Sequence, residues 1–165
     1  MIQKKICMVG SFAVGKTSLV SRFVHSIFSD KYLTTVGVKI DKKVVTVSSR
    51  ELMLMLWDLA GKDDYQELRP SYVRGAAGYL LVADGTRAFT LDVALQLQKD
   101  VESFIGKTPF VLVLNKTDLI DEWQIKEPQI EALRARGWEV IMTSAKQGQS
   151  VEEAFITLGS KIVDG

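Results

Sequence analysis

The pattern of apolar and polar positions alternates between two kinds of segment. Short, continuous apolar runs at Ile2–Val9, Gly78–Ala83 and Phe110–Leu114 read as strands covered on both faces. Glu139–Thr143 reads as a further strand. Val38–Val47 and Glu51–Trp57 read as two strands joined by a tight turn at Ser48–Ser49. Between the runs lie stretches with helical spacing: Lys16–His25, opened by a glycine turn; Phe89–Ile105; Gln124–Arg136, closed by Gly137; and about Val151 to Val163. Ser150 and Glu153 have the spacing of a capping box at the start of the last one. Strand–helix alternation predicts an α/β fold, a mostly parallel sheet of six strands with helices on both faces. No internal repeat, low-complexity tract or linker interrupts the 165 residues, so a single domain is expected. Ligands of such sheets sit at the carboxyl ends of the strands.

Composition narrows the class. Apolar residues make up 47% of the chain and charged residues 25%, an ordinary globular balance that argues against global disorder. The net charge is +1 and no long Lys/Arg cluster occurs, so neither nucleic acid nor a polybasic membrane contact is expected. Cys7 is the sole cysteine, which rules out an intrachain disulfide and suits a reducing compartment. The apolar stretch that ends at Gly10 is too short for a signal-peptide core, and the run from Ala76 to Ala83 too short to span a membrane. Lys161–Gly165 holds no cysteine for prenylation. These features give a cytoplasmic protein, with no lipid anchor evident, as the expectation.

The strand-end segments carry the chemistry. Gly10-Ser11-Phe12-Ala13-Val14-Gly15-Lys16-Thr17 matches G-x-x-x-x-G-K-[ST] between an expected strand and an expected helix, the context that motif requires. Glycines let the backbone curl so that N–H groups, from Ala13 through Val14, Gly15, Lys16 and Thr17 to Ser18, face an anion at a helix N-terminus. Lys16 brings a point charge to the β- and γ-phosphates, and the Thr17 hydroxyl is a hard oxygen ligand suited to Mg²⁺. By itself this cradle indicates only a nucleoside triphosphate; kinases, ATPases and GTPases share it.

Asn115-Lys116-Thr117-Asp118 follows the next-to-last strand. The Asp118 carboxylate offers two acceptors, which match guanine's N1–H and 2-amino donors in a bidentate way; adenine lacks that pair. Sites built on such hydrogen bonds discriminate by roughly 10⁴-fold. Ser144-Ala145-Lys146 follows the last strand, where a backbone N–H can donate to the guanine 6-oxo group. Trp57-Asp58-Leu59-Ala60-Gly61 ends another strand: Asp58 can hold a metal through water, and the Gly61 N–H can meet the γ-phosphate. Thr35, in the loop before Val38, can add a hydroxyl to Mg²⁺, with Thr34 competing for that role. Loss of the third phosphate would release both loops, an order–disorder switch.

The set GSFAVGKT, TTVGV, WDLAG, NKTD and SAK, in this order, resembles the Ras superfamily of small GTPases, and its Rab-like members in particular, over nearly the whole chain. The resemblance implies a P-loop NTPase three-layer fold that binds GTP and GDP with Mg²⁺. It places Phe28 against the guanine, Tyr32 over the phosphates and the Lys116 stem on the base, and has Asn115 tie the base loop to the P-loop. The alternative for Phe28 is a core residue at the helix end. Protein effectors are expected at the loops around residues 32–39 and 62–74. Leu68, Tyr65 and Tyr72 there form either an apolar patch for an effector or a layer packed beneath the loop.

Besides the C-terminus, which lacks the prenylated Cys of many family members, two positions depart from the family pattern, with Ala13 a milder change. Lys62 stands where a Gln usually orients the attacking water; an ammonium has three donors and no acceptor. Lys62 is left to stabilise charge on the phosphoryl oxygens or to pair with Asp63 or Asp64. Phe12 puts a ring where an arginine finger from an activating protein would pass. Lys16, Thr35, Gly61 and Lys62 are the candidate catalytic residues, and Thr17, Thr35 and Asp58 the candidate metal ligands. Three functions compete: a slowly hydrolysing GTPase switch, a GTP-holding scaffold with little turnover, and a nucleotide kinase. The kinase reading lacks a lid insertion and an acceptor site.

Overall fold

The computed structural model describes residues 1–26, 37–59 and 68–165. Six strands form one sheet: β1 (Ile2–Gly10), β2 (Val38–Val47), β3 (Arg50–Leu59), β4 (Gly78–Asp84), β5 (Phe110–Asn115) and β6 (Val140–Thr143). Their order across the sheet is β2-β3-β1-β4-β5-β6. Only β2, antiparallel to β3, breaks the parallel arrangement. The helices are α1 (Lys16–His25), α2 (Pro70–Val73), α3 (Phe89–Ile105), α4 (Glu127–Ala135) and α5 (Val151–Asp164), with a 3₁₀ segment at Thr117–Glu122.

The parallel strands read as unbroken apolar runs because each buries both faces. Along β4, Leu80 and Val82 face one core and Tyr79, Leu81 and Ala83 the other, following the two-residue period of a strand. Leu19 and Phe23 of α1 and Phe155 and Leu158 of α5 cover the first face. The Phe23 and Phe155 rings stack there at 4.1 Å. Leu91, Ala94 and Val101 of α3, with Ile130 and Leu133 of α4 and Tyr72 and Val73 of α2, cover the second. The mostly parallel, six-stranded, three-layer architecture expected from the sequence is therefore the one found.

Several local expectations change. The last helix has no capping box: Ser150 adopts a left-handed conformation, φ 58°, and its side chain makes no cap hydrogen bond. The fourth helix begins at Glu127 rather than Gln124, because Pro128 lacks an N–H and is tolerated only in a first turn. There Gln129 Oε1 accepts the Lys126 N–H at 2.8 Å. Part of the segment 62–74, expected as loop, is the short helix α2. Leu68, just before this helix, and Tyr72, within it, are both buried, so for these two the packed alternative holds. Tyr65 lies outside the described residues.

Candidate functional site

The parallel strands deliver their carboxyl ends to one edge of the sheet. β1 ends at Gly10, opposite Val82; Asp84 at the end of β4 lies opposite Asn115 of β5, and Asn115 opposite Thr143 of β6. β1 is where the chain crosses from one half of the sheet to the other, the crevice in which open α/β sheets bind ligands. The segment 10–17 leaves β1 at this point and enters α1.

Close approach explains its glycines. A Cβ on Gly10 would lie 2.4 Å from Val82 O, and one on Gly15 would lie 2.2 Å from Asn115 Nδ2. Gly15 also has φ +106°, which L side chains rarely adopt. Asn115 Nδ2 donates to Val14 O at 3.0 Å, while its Oδ1 accepts from Thr143 Oγ1 at 3.0 Å and from the Ala145 N–H at 3.2 Å. One buried amide thus joins the segment after β1 to the turns after β5 and β6.

Lys116 adopts a left-handed conformation, φ 79°, and its ammonium lies 3.2 Å from Ala13 O and 2.8 Å from Asp84 Oδ2. Asp118 Oδ1 accepts from Ser144 Oγ at 2.8 Å, and Ser144 Oγ accepts from the Gln147 N–H at 3.0 Å. The Asp118 carboxylate is thereby fixed beside the Ala145 and Lys146 turn. Arg22 of α1 donates through Nε to Ala145 O at 2.8 Å and through its guanidinium to Lys146 O.

On the other side of β1, Thr17 Oγ1 donates to Asp58 Oδ2 at 2.5 Å, so a hydroxyl and a carboxylate meet at the start of α1. Lys16 Nζ donates to Gly10 O at 2.6 Å. Burial lowers the Lys16 pKa from its ordinary 10.5, with the Asp58 charge opposing that shift. Asp84 behaves differently. Burial pushes its carboxyl up, but hydrogen bonds from Lys116 and Thr86 together with the Lys116 charge outweigh it, and the pKa falls below 3.8.

The structure brings Ala13, Val14, Gly15, Lys16, Thr17 and Ser18 together with Asp58, Asn115, Lys116, Asp118, Ser144, Ala145 and Lys146 along this edge. Phe28, Tyr32, Thr35, Gly61 and Lys62 lie outside the described residues. Asp84, Arg87, Thr143 and Arg22 were not singled out in the sequence. Asp84 was within reach of it, since it is a charged residue that directly follows an expected strand. The other three needed three-dimensional contacts.

The residues present suit a phosphate chain and a hard divalent cation. The backbone is curled at glycines that no larger residue could replace without a clash, a helix N-terminus follows, and an ammonium, a hydroxyl and a carboxylate sit beside it. No described helix is long and apolar enough to cross a membrane. A family model, that of the Ras family, matches residues 5–164. The five strand-end segments thus belong to a continuous match over almost all of the chain, which is a member of the Ras family of GTP-binding switch proteins.

Proposed function

We propose that this chain is a single-domain, Rab-like switch that holds GTP and GDP with Mg²⁺ and hydrolyses GTP slowly. One observation carries the reading: Asn115 fastens Val14 of the phosphate cradle to the Ala145 turn of the base site. A phosphate cradle and a guanine-reading carboxylate are then held at fixed separation, which a general triphosphate site does not need. In this reading, backbone N–H groups from Ala13 to Ser18 receive the phosphates, and Lys16 neutralises them. Asp118 reads guanine N1–H and the 2-amino group, and the Ala145 and Lys146 turn serves the 6-oxo group. Phe28, Tyr32 and the Lys116 stem contact base and phosphates as the family resemblance implies.

Thr17, Thr35 and Asp58 would hold Mg²⁺, with Asp58 acting through water. When bound, the ion supplies positive charge to the β- and γ-phosphate oxygens. Thr35 and Gly61 sense the third phosphate, and protein effectors read the loops around residues 32–39 and 62–74. A cytoplasmic location is part of the proposal.

Slow turnover follows from two side chains. Lys62 has no acceptor with which to orient water in its charged form, and Phe12 obstructs the approach of an external arginine finger. The same two residues favour the second reading, a GTP-holding scaffold with little or no turnover. Single-turnover conversion of GTP to GDP on the Mg²⁺-loaded protein separates them. Slow, Mg²⁺-dependent conversion supports the switch, and GTP held without conversion supports the scaffold. A Lys62→Gln variant is expected to hydrolyse faster than the parent; an unchanged rate would remove Lys62 as a cause.

A further inference from the structure

Three consecutive carbonyls of the cradle each accept a hydrogen bond from outside it. Phe12 O takes Arg87 Nη2 at 2.9 Å, Ala13 O takes Lys116 Nζ at 3.2 Å, and Val14 O takes Asn115 Nδ2 at 3.0 Å. Across a planar trans peptide the C=O and the following N–H point in opposite directions. Fixing these three carbonyls therefore aims the N–H groups of Ala13, Val14 and Gly15 away from the three donors. Arg87 fixes the first of them.

The Arg87 guanidinium is itself held. Its Nε lies 3.0 Å from Asp84 Oδ2, the oxygen that also receives Lys116 Nζ at 2.8 Å. Asp84 Oδ1 accepts from the Thr86 N–H at 2.8 Å and from Thr86 Oγ1 at 2.7 Å. Asp84 is completely buried, so this carboxylate is a fixed anchor rather than a solvated charge. The anchor orients two cations, one toward Phe12 O and one toward Ala13 O. A guanidinium can serve Asp84 and Phe12 together because its fork presents several donors in one plane; an ammonium is a point donor.

We propose that Arg87, oriented by Asp84, is a positioning residue for the β-phosphate end of the nucleotide: it sets the N–H direction of the cradle from the turn between β4 and α3. The proposal rests on the guanine-nucleotide reading above. Arg87 lies outside GSFAVGKT, TTVGV, WDLAG, NKTD and SAK.

The test uses parent, Arg87→Ala and Arg87→Lys proteins loaded with Mg²⁺ and a fluorescent GDP. Loss of one charge-assisted hydrogen bond predicts GDP release from Arg87→Ala about 10–100-fold faster, with Arg87→Lys in between. The ³¹P resonance of the GDP β-phosphate is expected to move, and the affinity for GMP, which lacks that phosphate, to stay within about two-fold of the parent. General loosening of the fold would instead weaken GMP and GDP by the same factor, and that result overturns the proposal. So does parental release with an unmoved β-phosphate resonance. If Arg87→Ala does not fold, Arg87→Lys decides: it keeps the charge and loses the fork, and parental behaviour on both readouts contradicts the role. A parent protein that binds no GDP would instead sink the guanine-nucleotide reading, and Arg87's role with it.

Discussion

At the scale of single residues, Gly15 is the described glycine at which a positive φ coincides with a close contact. Its positive φ and its contact with Asn115 coincide, so a methyl group there meets two penalties at once. Gly15→Ala is expected to destabilise the fold by about 2–4 kcal/mol, from left-handed strain and from displacement of the Asn115–Val14 hydrogen bond. Urea denaturation checks it; a midpoint equal to the parent's would show that Asn115 moves aside freely. The sequence motif identifies Gly15 because the spacing to Lys16 and Thr17 is fixed by the chemistry of phosphate. Asp84 and Arg87 carry no such spacing. Asp84 ends an apolar run and gains meaning only when strand register places it opposite Asn115. Arg87 gains it only when its reach to Phe12 O, 75 residues away in the chain, is known.

At the scale of elements, long periodic segments were legible and short ones were not. Lys16–His25 and Phe89–Ile105 show several turns of helical spacing, and the structure has helices over those residues. The four residues of α2 and the six of the 3₁₀ segment are too short to establish a period. The Ser150 and Glu153 spacing does not make a capping box because a Ser three residues before a Glu marks one only when the Ser is extended, and Ser150 is left-handed. The turn between β2 and β3 falls at Ser48–Ser49, as the sequence predicts, and both serines have positive φ, 51° and 65°. That geometry matches the twist of a two-residue hairpin and favours Asn-Gly. Ser49→Gly is therefore expected to stabilise the protein by up to about 1 kcal/mol, and β-branched Ser49→Val to destabilise it. Thermal melting of the pair distinguishes them, and a Ser49→Val variant at least as stable as the parent would contradict the turn assignment.

At the scale of the molecule, the apolar layer covered by α2, α3 and α4 encloses ionisable groups that folding keeps neutral. Burial pushes the Cys7 thiol from 9.0 up to about 12, and Tyr79 from 10.0 up to about 12. Tyr72 is raised as well, chiefly by burial, with its hydroxyl 2.6 Å from Trp57 O and 2.9 Å from Met8 O. The folded chain keeps these protons at a pH where the unfolded chain releases them. The Cys7 contribution to stability is thus complete below pH 9, and that of Tyr79 below pH 10, and both are lost as pH rises toward about 12; the Tyr72 contribution is likewise lost only above pH 10. Unfolding free energies from denaturant titrations at pH 8, 9, 10 and 11 should fall from pH 9 upward through Cys7 and from pH 10 upward through the tyrosines as well, by as much as about 1.4 kcal/mol per pH unit for each group. A flat profile would mean that this layer admits water.

The sheet brings the segments that follow β1, β5 and β6 to one edge, and the central claim is that this edge reads guanine through Asp118. The most direct measurement is the affinity of parent and Asp118→Asn proteins for GDP and for xanthosine diphosphate, with Mg²⁺ present. An amide in place of the carboxylate loses the match to guanine's two donors but can donate to the 2-oxo group of xanthine. The account predicts that the parent prefers GDP and that Asp118→Asn reverses the preference towards xanthosine diphosphate. An Asp118→Asn protein that keeps the parental preference for GDP would take Asp118 out of the base site and contradict the account.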